Sequence, residues 1–283
     1  MKIQVLSKIN VGQIENLPIQ VYSDGSVDIK IPETVKKALE NSVVMNVYVT
    51  LKCPAGLLAF RYFLDYVEDQ LNHVKLNVFL PYLPNMRQDR LNGSETVTNL
   101  FSLKSVTKLL KSSNVRSYLI TDPHSEVSSA LLDQSKVLDQ SMVYCRLRDR
   151  FDFECDVIVA PDAGAFKKSE KIASMLQRPL VLASKHRDAI TNELTDTQLL
   201  AGSVVGKHVV IVDDILDGGR TFSSLAKVLK EKGASVVSLF VTHGIFSYGY
   251  ESLKGDIDNI YVYYNWLPEE DVDQNFIKTY MYV

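Results

Sequence analysis

The sequence has few cysteines, and their arrangement excludes two classes of small scaffold. Its 283 residues include only Cys53, Cys145 and Cys155, and no Cys-x-x-Cys spacing occurs. An odd and widely spaced set argues against a disulfide framework and against a zinc site. The cysteine usage therefore favours a reducing, cytoplasmic setting.

Long apolar runs and an excess of basic residues are also missing. The first ten residues, MKIQVLSKIN, lack the long apolar stretch of a signal peptide, and runs such as Val43–Val49 are too short to cross a bilayer. Lysine and arginine total 31 against 34 aspartates and glutamates, so the formal net charge is −3. This balance gives no electrostatic footprint for nucleic acid or for a membrane surface. We therefore expect neither as a partner.

Short apolar runs alternate along the chain with segments of helical periodicity. The runs are 3–7 residues long and mostly rich in Val, Ile and Tyr: Val43–Val49, Leu76–Leu80, Tyr118–Ile120, Val157–Ala160, Leu180–Ala183, Val209–Val212 and Val236–Val241. Apolar residues recur on one helix face in Leu57–Leu71, Leu103–Leu110 and Phe222–Leu229, and Gly233 stands where a helix C-cap is expected. The alternation predicts an α/β fold with mainly parallel sheets.

The length suits two domains of ordinary size. The charged stretch Arg146–Asp152 separates two strand–helix series, so we place the domains at residues 1–142 and 143–283. An apolar strand followed by Asp, a loop and a helix recurs in Leu119–Leu131, Ile158–Leu176 and Val209–Leu229. Ligands bind at the carboxyl ends of parallel strands, so these three loops mark the expected functional edge.

The third of these loops, IVDDILDGGRT at Ile211–Thr221, predicts a phosphate and ribose site. Asp213 and Asp214 directly follow a buried strand, where two carboxylates require a cation or hydrogen-bond donors such as ribose hydroxyls. Gly218 and Gly219 precede a helix, whose first backbone N–H groups suit a phosphate. The alternative is a solvated acidic turn before a helix.

This loop resembles the phosphoribosyl-pyrophosphate binding loop of type I phosphoribosyltransferases and ribose-phosphate pyrophosphokinases. Their pattern is an apolar strand, two acidic residues, two spacers and Asp-Thr-x-Gly-Thr. Asp217 and Thr221 match it, whereas Gly218 stands where Thr is usual and Arg220 where Gly is usual.

Five further motifs resemble those of the pyrophosphokinase branch, in the same order. They are Pro81-Tyr82 with Arg87-Gln88-Asp89-Arg90, Asp122-Pro123-His124-Ser125, Val159–Gly164, the Lys185 and Arg187 pair, and Thr242–Ser247. Each alone can be a charge cluster, a surface histidine or an ordinary turn. The agreement of six motifs favours the functional interpretation.

The resemblance implies a fold of two phosphoribosyltransferase-type domains, each a mainly parallel sheet flanked by helices, with the active site between them. It implies transfer of the diphosphoryl group of ATP to the anomeric hydroxyl of a ribose 5-phosphate unit, with Mg²⁺ as cofactor and AMP as product. The implied catalytic residues are Lys185, Arg187 and His124. The implied ATP contacts are Tyr22, Asp24, Arg87, Gln88, Asp89 and His124. Asp162, Ala163 and Gly164 would hold the pyrophosphate, and Asp213, Asp214, Asp217, Gly218, Gly219, Arg220 and Thr221 the ribose phosphate. His124 and Asp162 would help to hold the metal.

Two departures from the family pattern affect these expectations. The segment Tyr22–Ser26 carries Ser26 where a Glu is usual. In relatives this segment reaches the ATP base across a subunit interface, so the resemblance implies a homodimer or a higher oligomer.

The second departure is in the acceptor loop, where Gly218 removes a side chain and Arg220 adds a cation. Both changes would admit a longer group, such as the diphosphate of ADP-ribose. A related subgroup forms ADP-ribose 1-pyrophosphate for NAD resynthesis, so ribose 5-phosphate and ADP-ribose are equally good candidates for the acceptor.

Two alternative functions stay open beside the ATP-dependent one. The first is a phosphoribosyltransferase that consumes phosphoribosyl pyrophosphate, and the second is a catalytically silent regulatory homologue. The motifs around Arg87 and His124 argue for the ATP-using branch, and retention of Lys185 argues against the silent one. The polar stretch from Lys185 to about Leu199 is expected to be a long loop that closes over substrate.

Overall fold

The structure, a computed structural model, describes residues 2–6, 14–93, 97–187, 194–199 and 202–283. The chain forms two compact units, Met1–Leu138 and Asp139–Val283. Among the described residues, no helix is both long and apolar enough to span a membrane.

The first unit is a parallel sheet with two antiparallel strands added at one side. Its strands are β1 (Lys2–Leu6), β2 (Ile14–Asn16), β3 (Ile19–Val21), β4 (Val27–Ile29), β5 (Val44–Thr50), β6 (Lys75–Leu80), β7 (Asn92–Gly93), β8 (Thr98–Asn99), β9 (Val115–Thr121) and β10 (Ser135–Leu138). Its helices are α1 (Glu33–Glu40), α2 (Pro54–Gln70), α3 (Ser102–Leu110) and α4 (Glu126–Leu131). The main sheet has the order β10-β9-β6-β5-β1-β2, and its four strands from β10 to β5 are parallel.

The apolar stripe of α2 forms much of the core of this unit. Phe60, Phe63, Leu64 and Val67 are fully buried on one side of the helix, at the spacing that the sequence indicates. Each such side chain contributes about 1.5–3 kcal/mol through removal of apolar surface from water. The strands β3 and β4 form a separate two-stranded hairpin.

The second unit is a seven-stranded sheet. Its strands are β11 (Val157–Ala160), β12 (Leu180–Arg187), β13 (Leu194–Leu199), β14 (His208–Leu216), β15 (Val236–Gly244), β16 (Asn259–Asn265) and β17 (Ile277–Tyr282). Its helices are α5 (Gln140–Phe151), α6 (Phe166–Leu176) and α7 (Arg220–Glu231), with short 3₁₀ turns at Glu251–Leu253 and Glu269–Asp271. The order is β13-β12-β11-β14-β15-β16-β17, and β13 is the antiparallel member, at one edge.

The α/β fold with mainly parallel sheets is confirmed, and each of the seven predicted apolar runs lies in or largely overlaps a strand. Helix α7 buries Phe222, Leu225 and Leu229. It ends at Glu231, and Gly233 follows with the left-handed φ of +88° that a helix-terminating glycine provides.

Two local expectations were wrong. The stretch after Ala183 is not one long loop, because β12 continues to Arg187 and pairs with β13; residues 188–193 lie outside the described residues. A search for apolar runs misses such strands, since an edge ladder needs backbone partners rather than apolar side chains. The charged stretch Arg146–Asp152 does not divide the chain either, because Arg146–Phe151 is the second half of α5.

Candidate active site

Four motifs of the second unit meet at the carboxyl edge of its sheet. The strands β12, β11, β14 and β15 are consecutive neighbours, and all are parallel. The Lys185 and Arg187 pair, the Asp162 loop, the acidic pair with its glycine loop, and the Thr242–Ser247 motif lie at their ends. Parallel pairing therefore assembles residues more than 80 positions apart into one candidate site.

The acidic pair at the end of β14 is partly neutralised by a lysine that the sequence analysis missed. The backbone N–H of Asp214 donates to Asp213 Oδ1 at 2.8 Å. Lys168 Nζ, from the first turn of α6, lies 3.5 Å from Asp214 Oδ2, and the Asp214 side chain is only 8% exposed. A lysine in the first turn opposes the helix dipole, which favours anions there, and that conflict is the signal that marks Lys168.

Burial raises the pKa of Asp213 well above its ordinary value of 3.8, and the charges of Asp214 and Asp162 raise it further. Three carboxylates thus share one region, with Lys168 beside one of them. Such a group favours a bound cation or donors that neutralise it. Among the described residues, no group of three or more His, Cys, Asp or Glu side chains is placed to hold a metal ion.

We predict that Lys168→Ala destabilises the protein, because it leaves the buried Asp214 carboxylate without its cation. Loss of a partly buried pair at this distance costs about 1–2 kcal/mol, which lowers the melting temperature by roughly 3–6 °C. Thermal unfolding with and without Mg²⁺ measures this, and added Mg²⁺ is expected to recover part of the loss.

Lys171→Ala, on the same helix, is the matched control. Lys171 pairs with Asp139 on the surface, with the two side chains 59% and 42% exposed, and exposed pairs contribute little. Equal melting temperatures for the two variants would show that Lys168 does not balance the acidic pair.

The glycine loop that follows β14 is shaped for a close approach to the backbone. Gly219 has φ +78° and precedes the first turn of α7; a side chain there would meet Leu253 at 2.9 Å. The first N–H groups of a helix have no partner within the helix, so this turn provides donors for a phosphate. Ser247 Oγ donates a hydrogen bond to Asp217, which ties the loop to the segment after β15. Asp213 through Thr221 thus run from the end of β14 into the first turn of α7, and their role in binding ribose phosphate stays a prediction.

The loop after β11 has a built-in turn. Asp162 Oδ1 accepts a hydrogen bond from the backbone N–H of Ala165 at 3.0 Å. A Cβ on Gly164 would lie 3.2 Å from the same oxygen, so glycine leaves room for this contact. Ala163 and Gly164 are exposed at the loop tip, where backbone N–H groups suit a pyrophosphate.

Lys185 and Arg187 both lie in β12. Lys185 pairs with Thr197, and Arg187 pairs with Leu194, in the antiparallel ladder with β13. The described part of these two residues is the backbone, which continues β12 past the end of its parallel pairing with β11. Their catalytic role remains a prediction.

The first unit places the two motifs that are expected to contact ATP after neighbouring strands. They follow β6 and β9, which are parallel neighbours. Asp89 is 4% exposed and binds Arg90 Nε at 2.8 Å. The Arg90 hydrogen bond, with contributions from Ser125 and His124, lowers the pKa of Asp89. Asp89 is therefore a buried carboxylate that orients Arg90, a residue outside the expected ATP set, while His124 is exposed nearby.

The β3–β4 hairpin carries the remaining expected ATP residues. Tyr22 is 44% exposed, and Asp24 accepts hydrogen bonds from the backbone N–H and the hydroxyl of Ser26, at 2.9 and 2.7 Å. These bonds lower the pKa of Asp24. Ser26, at the position of the family's Glu, thus closes the turn instead of extending a carboxylate, and the turn keeps Tyr22 on the surface.

Comparisons with known proteins agree with this geometry. Residues 129–267 match the phosphoribosyl transferase domain family. A ribose-phosphate pyrophosphokinase of Bradyrhizobium diazoefficiens is 28% identical over 177 residues, 62% of this chain and 54% of the relative. That of Sulfolobus acidocaldarius is 28% identical over 243 residues, 85% of this chain and 80% of the relative. The match to the first of these relatives thus spans about half of its length.

Among solved structures, the phosphoribosylpyrophosphate synthetase of Mycobacterium smegmatis has the same fold. It superimposes with a TM-score of 0.73 over 94% of this chain and 85% of its own, at 20% identity. The match to the phosphoribosyl transferase domain family covers most of the second unit. Over most of its length the chain is similar to ribose-phosphate pyrophosphokinases.

Proposed function

We propose that the protein transfers the β,γ-diphosphoryl group of ATP to the anomeric hydroxyl of a ribose 5-phosphate unit and releases AMP. One observation carries this proposal: the motifs for pyrophosphate, ribose and 5-phosphate follow neighbouring parallel strands of one sheet. The names of the relatives support an ATP-dependent diphosphokinase of this type.

The chemistry consists mainly of positioning and charge neutralisation. The anomeric oxygen attacks the β-phosphorus, a new C–O–P linkage forms, the bond from the β-phosphorus to the α–β bridging oxygen breaks, and the hydroxyl proton is released. Asp213 and Asp214 hold the ribose hydroxyls, and the loop from Asp217 to Thr221 holds the 5-phosphate. Lys185 and Arg187 neutralise charge on the transferred group and on the leaving oxygen.

Mg²⁺ fits the donor chemistry of this edge. Burial and two neighbouring carboxylates raise the pKa of Asp213, and a cation relieves that repulsion. Asp162 would help to hold the metal at this edge, and the same role for His124 stays a prediction from the sequence. When bound, it supplies positive charge to the polyphosphate oxygens.

The acceptor is either ribose 5-phosphate or ADP-ribose. Gly218 lacks the side chain of the usual Thr, and Arg220 is exposed at the start of α7, where a cation opposes the helix dipole unless an anion binds there. The additional cation favours an acceptor with more than one phosphate. We predict a higher kcat/KM with ADP-ribose than with ribose 5-phosphate.

AMP release from Mg-ATP, measured by chromatography with each acceptor, tests this prediction. Equal or better use of ribose 5-phosphate would overturn the preference and leave the reaction type intact. If no AMP is released with either acceptor, the proposed reaction type is overturned. Consumption of phosphoribosyl pyrophosphate with a base would then support a phosphoribosyltransferase, and inactivity in both assays the silent homologue.

We also propose that a second copy of the chain completes the ATP site through the exposed β3–β4 hairpin, which carries Tyr22. Light scattering of the purified protein gives the mass in solution, and a monomer would contradict this proposal.

A further inference from the structure

A tyrosine that belongs to none of the motifs lies directly on the acceptor loop. Tyr248 is 79% exposed. A Cβ added to Gly218 would lie 3.2 and 3.3 Å from Cδ2 and Cε2 of its ring. An aromatic ring thus lies beside the loop that is expected to bind the 5-phosphate of the acceptor.

The segment that carries Tyr248 is fixed by the backbone. The N–H groups of Ile245 and Phe246 approach the carbonyl of Leu216 at 2.7 and 3.3 Å, and Gly249 N–H donates to Phe246 O at 2.9 Å. Phe246 is buried with a left-handed φ of +54°. A non-glycine residue holds that conformation only where its surroundings require it. The position of Tyr248 is therefore part of the fold and not that of a loose loop.

Gly244 and Gly218 both lie close to aromatic rings of this segment. A Cβ on Gly244 would lie 2.4 Å from Cε2 of Phe246, which folds back over the strand end. A Cβ at position 218, where Thr is usual in the family, would make a milder but still tight contact with the ring of Tyr248. The departure of the acceptor loop from the family pattern thus coincides with an exposed tyrosine that occupies the released space.

The surroundings of the ring define the chemistry of its ligand. On one side is a helix N-terminus that suits a phosphate, with the exposed cation Arg220 as its first residue. A large aromatic face left in water beside such a site suits a second ring, because bases stack on tyrosine irrespective of their hydrogen-bonding edges. A nucleoside attached through a diphosphate carries both groups in this order.

We propose that Tyr248 is a specificity-determining residue, which stacks on the base of an acceptor whose ribose 5-phosphate continues through a second phosphate into a nucleoside. This inference rests on the proposed function and adds the residue that separates ADP-ribose from ribose 5-phosphate. Arg220 binds the second phosphate, and Gly218 leaves the space in which the ring lies.

The test is isothermal titration of ADP-ribose and of ribose 5-phosphate into the wild-type protein, Tyr248→Ala and Tyr248→Phe. Loss of a stacked base corresponds to a roughly 10-fold or greater rise in Kd. We therefore expect the ratio of the two dissociation constants to shift about 10-fold against ADP-ribose in Tyr248→Ala, and to stay near the wild-type ratio in Tyr248→Phe. Tyr62→Ala, at an exposed tyrosine of α2 in the other unit, is the control.

A parallel weakening of both ligands in Tyr248→Ala would show that the ring only supports the loop, and would overturn the proposal. An unchanged ratio, or no binding of ADP-ribose to the wild-type protein, would do the same. AMP release from Mg-ATP with ribose 5-phosphate is measured on the same samples. If AMP forms there while the ratio stays unchanged, the proposed reaction stands and only the role of Tyr248 fails.

Discussion

Lys185→Ala is expected to lower kcat by about 10²–10³-fold, the usual loss when one group that stabilises transition-state charge is removed. In the proposed reaction, negative charge concentrates on the leaving oxygen and on the transferred phosphoryl group. The backbone of Lys185 pairs with Thr197 in the β12–β13 ladder, which alanine retains. The melting temperature is therefore expected to change by less than roughly 2 °C.

Steady-state AMP release and thermal unfolding on the same preparations measure both effects. Lys207→Ala is the matched control. Lys207 is exposed just before the first residue of β14, at the end of that strand that lies away from the candidate site. Arginine at position 185 keeps the charge but not the compact ammonium group, so we expect Lys185→Arg to recover only part of the rate. Near-normal turnover of Lys185→Ala would refute its assigned role.

Most of the sheet of the second unit could be predicted from the sequence. Runs such as Val157–Ala160 and Val209–Val212 are apolar because parallel strands covered on both faces need apolar side chains throughout. The sequence also places Asp213 and Asp214 at the end of a buried strand, and the structure has them there; their role in binding ribose stays a prediction. Where the composition of a segment agrees with its place in the fold, apolar periodicity was enough to predict the strand.

The rest depends on contacts between distant segments, which no local pattern contains. Lys168 reaches Asp214 from 46 positions away, and Ser247 reaches Asp217 from 30. These pairs exist because α6 and β15 pack beside β14, and only the folded topology supplies that information. The strand β16 is a different case, since Asn259–Asn265 has the composition of a strand and is still absent from the predicted runs.

The acidic pair gives a prediction in which stability and activity change in opposite directions. Asp213→Asn is expected to reduce turnover by about two orders of magnitude or more, because the ribose hydroxyls lose a charged acceptor. The same change is expected to raise the melting temperature at pH 8 by roughly 2–4 °C, since it removes a carboxylate that burial and two neighbours disfavour. The amide keeps an oxygen that can accept the 2.8 Å bond from the Asp214 N–H.

The stability gain of Asp213→Asn should depend on pH if it comes from removing a disfavoured buried charge, and should not depend on pH if it comes from better packing. Burial holds the pKa of Asp213 above its ordinary value of 3.8, so the unfolded chain releases this proton at lower pH than the folded chain. Its contribution to stability is therefore lost as the pH rises from about 4 towards the raised pKa, and the deficit persists above it. The advantage of Asp213→Asn should accordingly be near zero at pH 4, large at pH 8, and smaller at pH 8 when Mg²⁺ neutralises the wild-type pair. Asp271→Asn, at an exposed carboxylate, should show no such trend. A gain that is the same at both pH values would mean that the repulsion between the carboxylates is not its source.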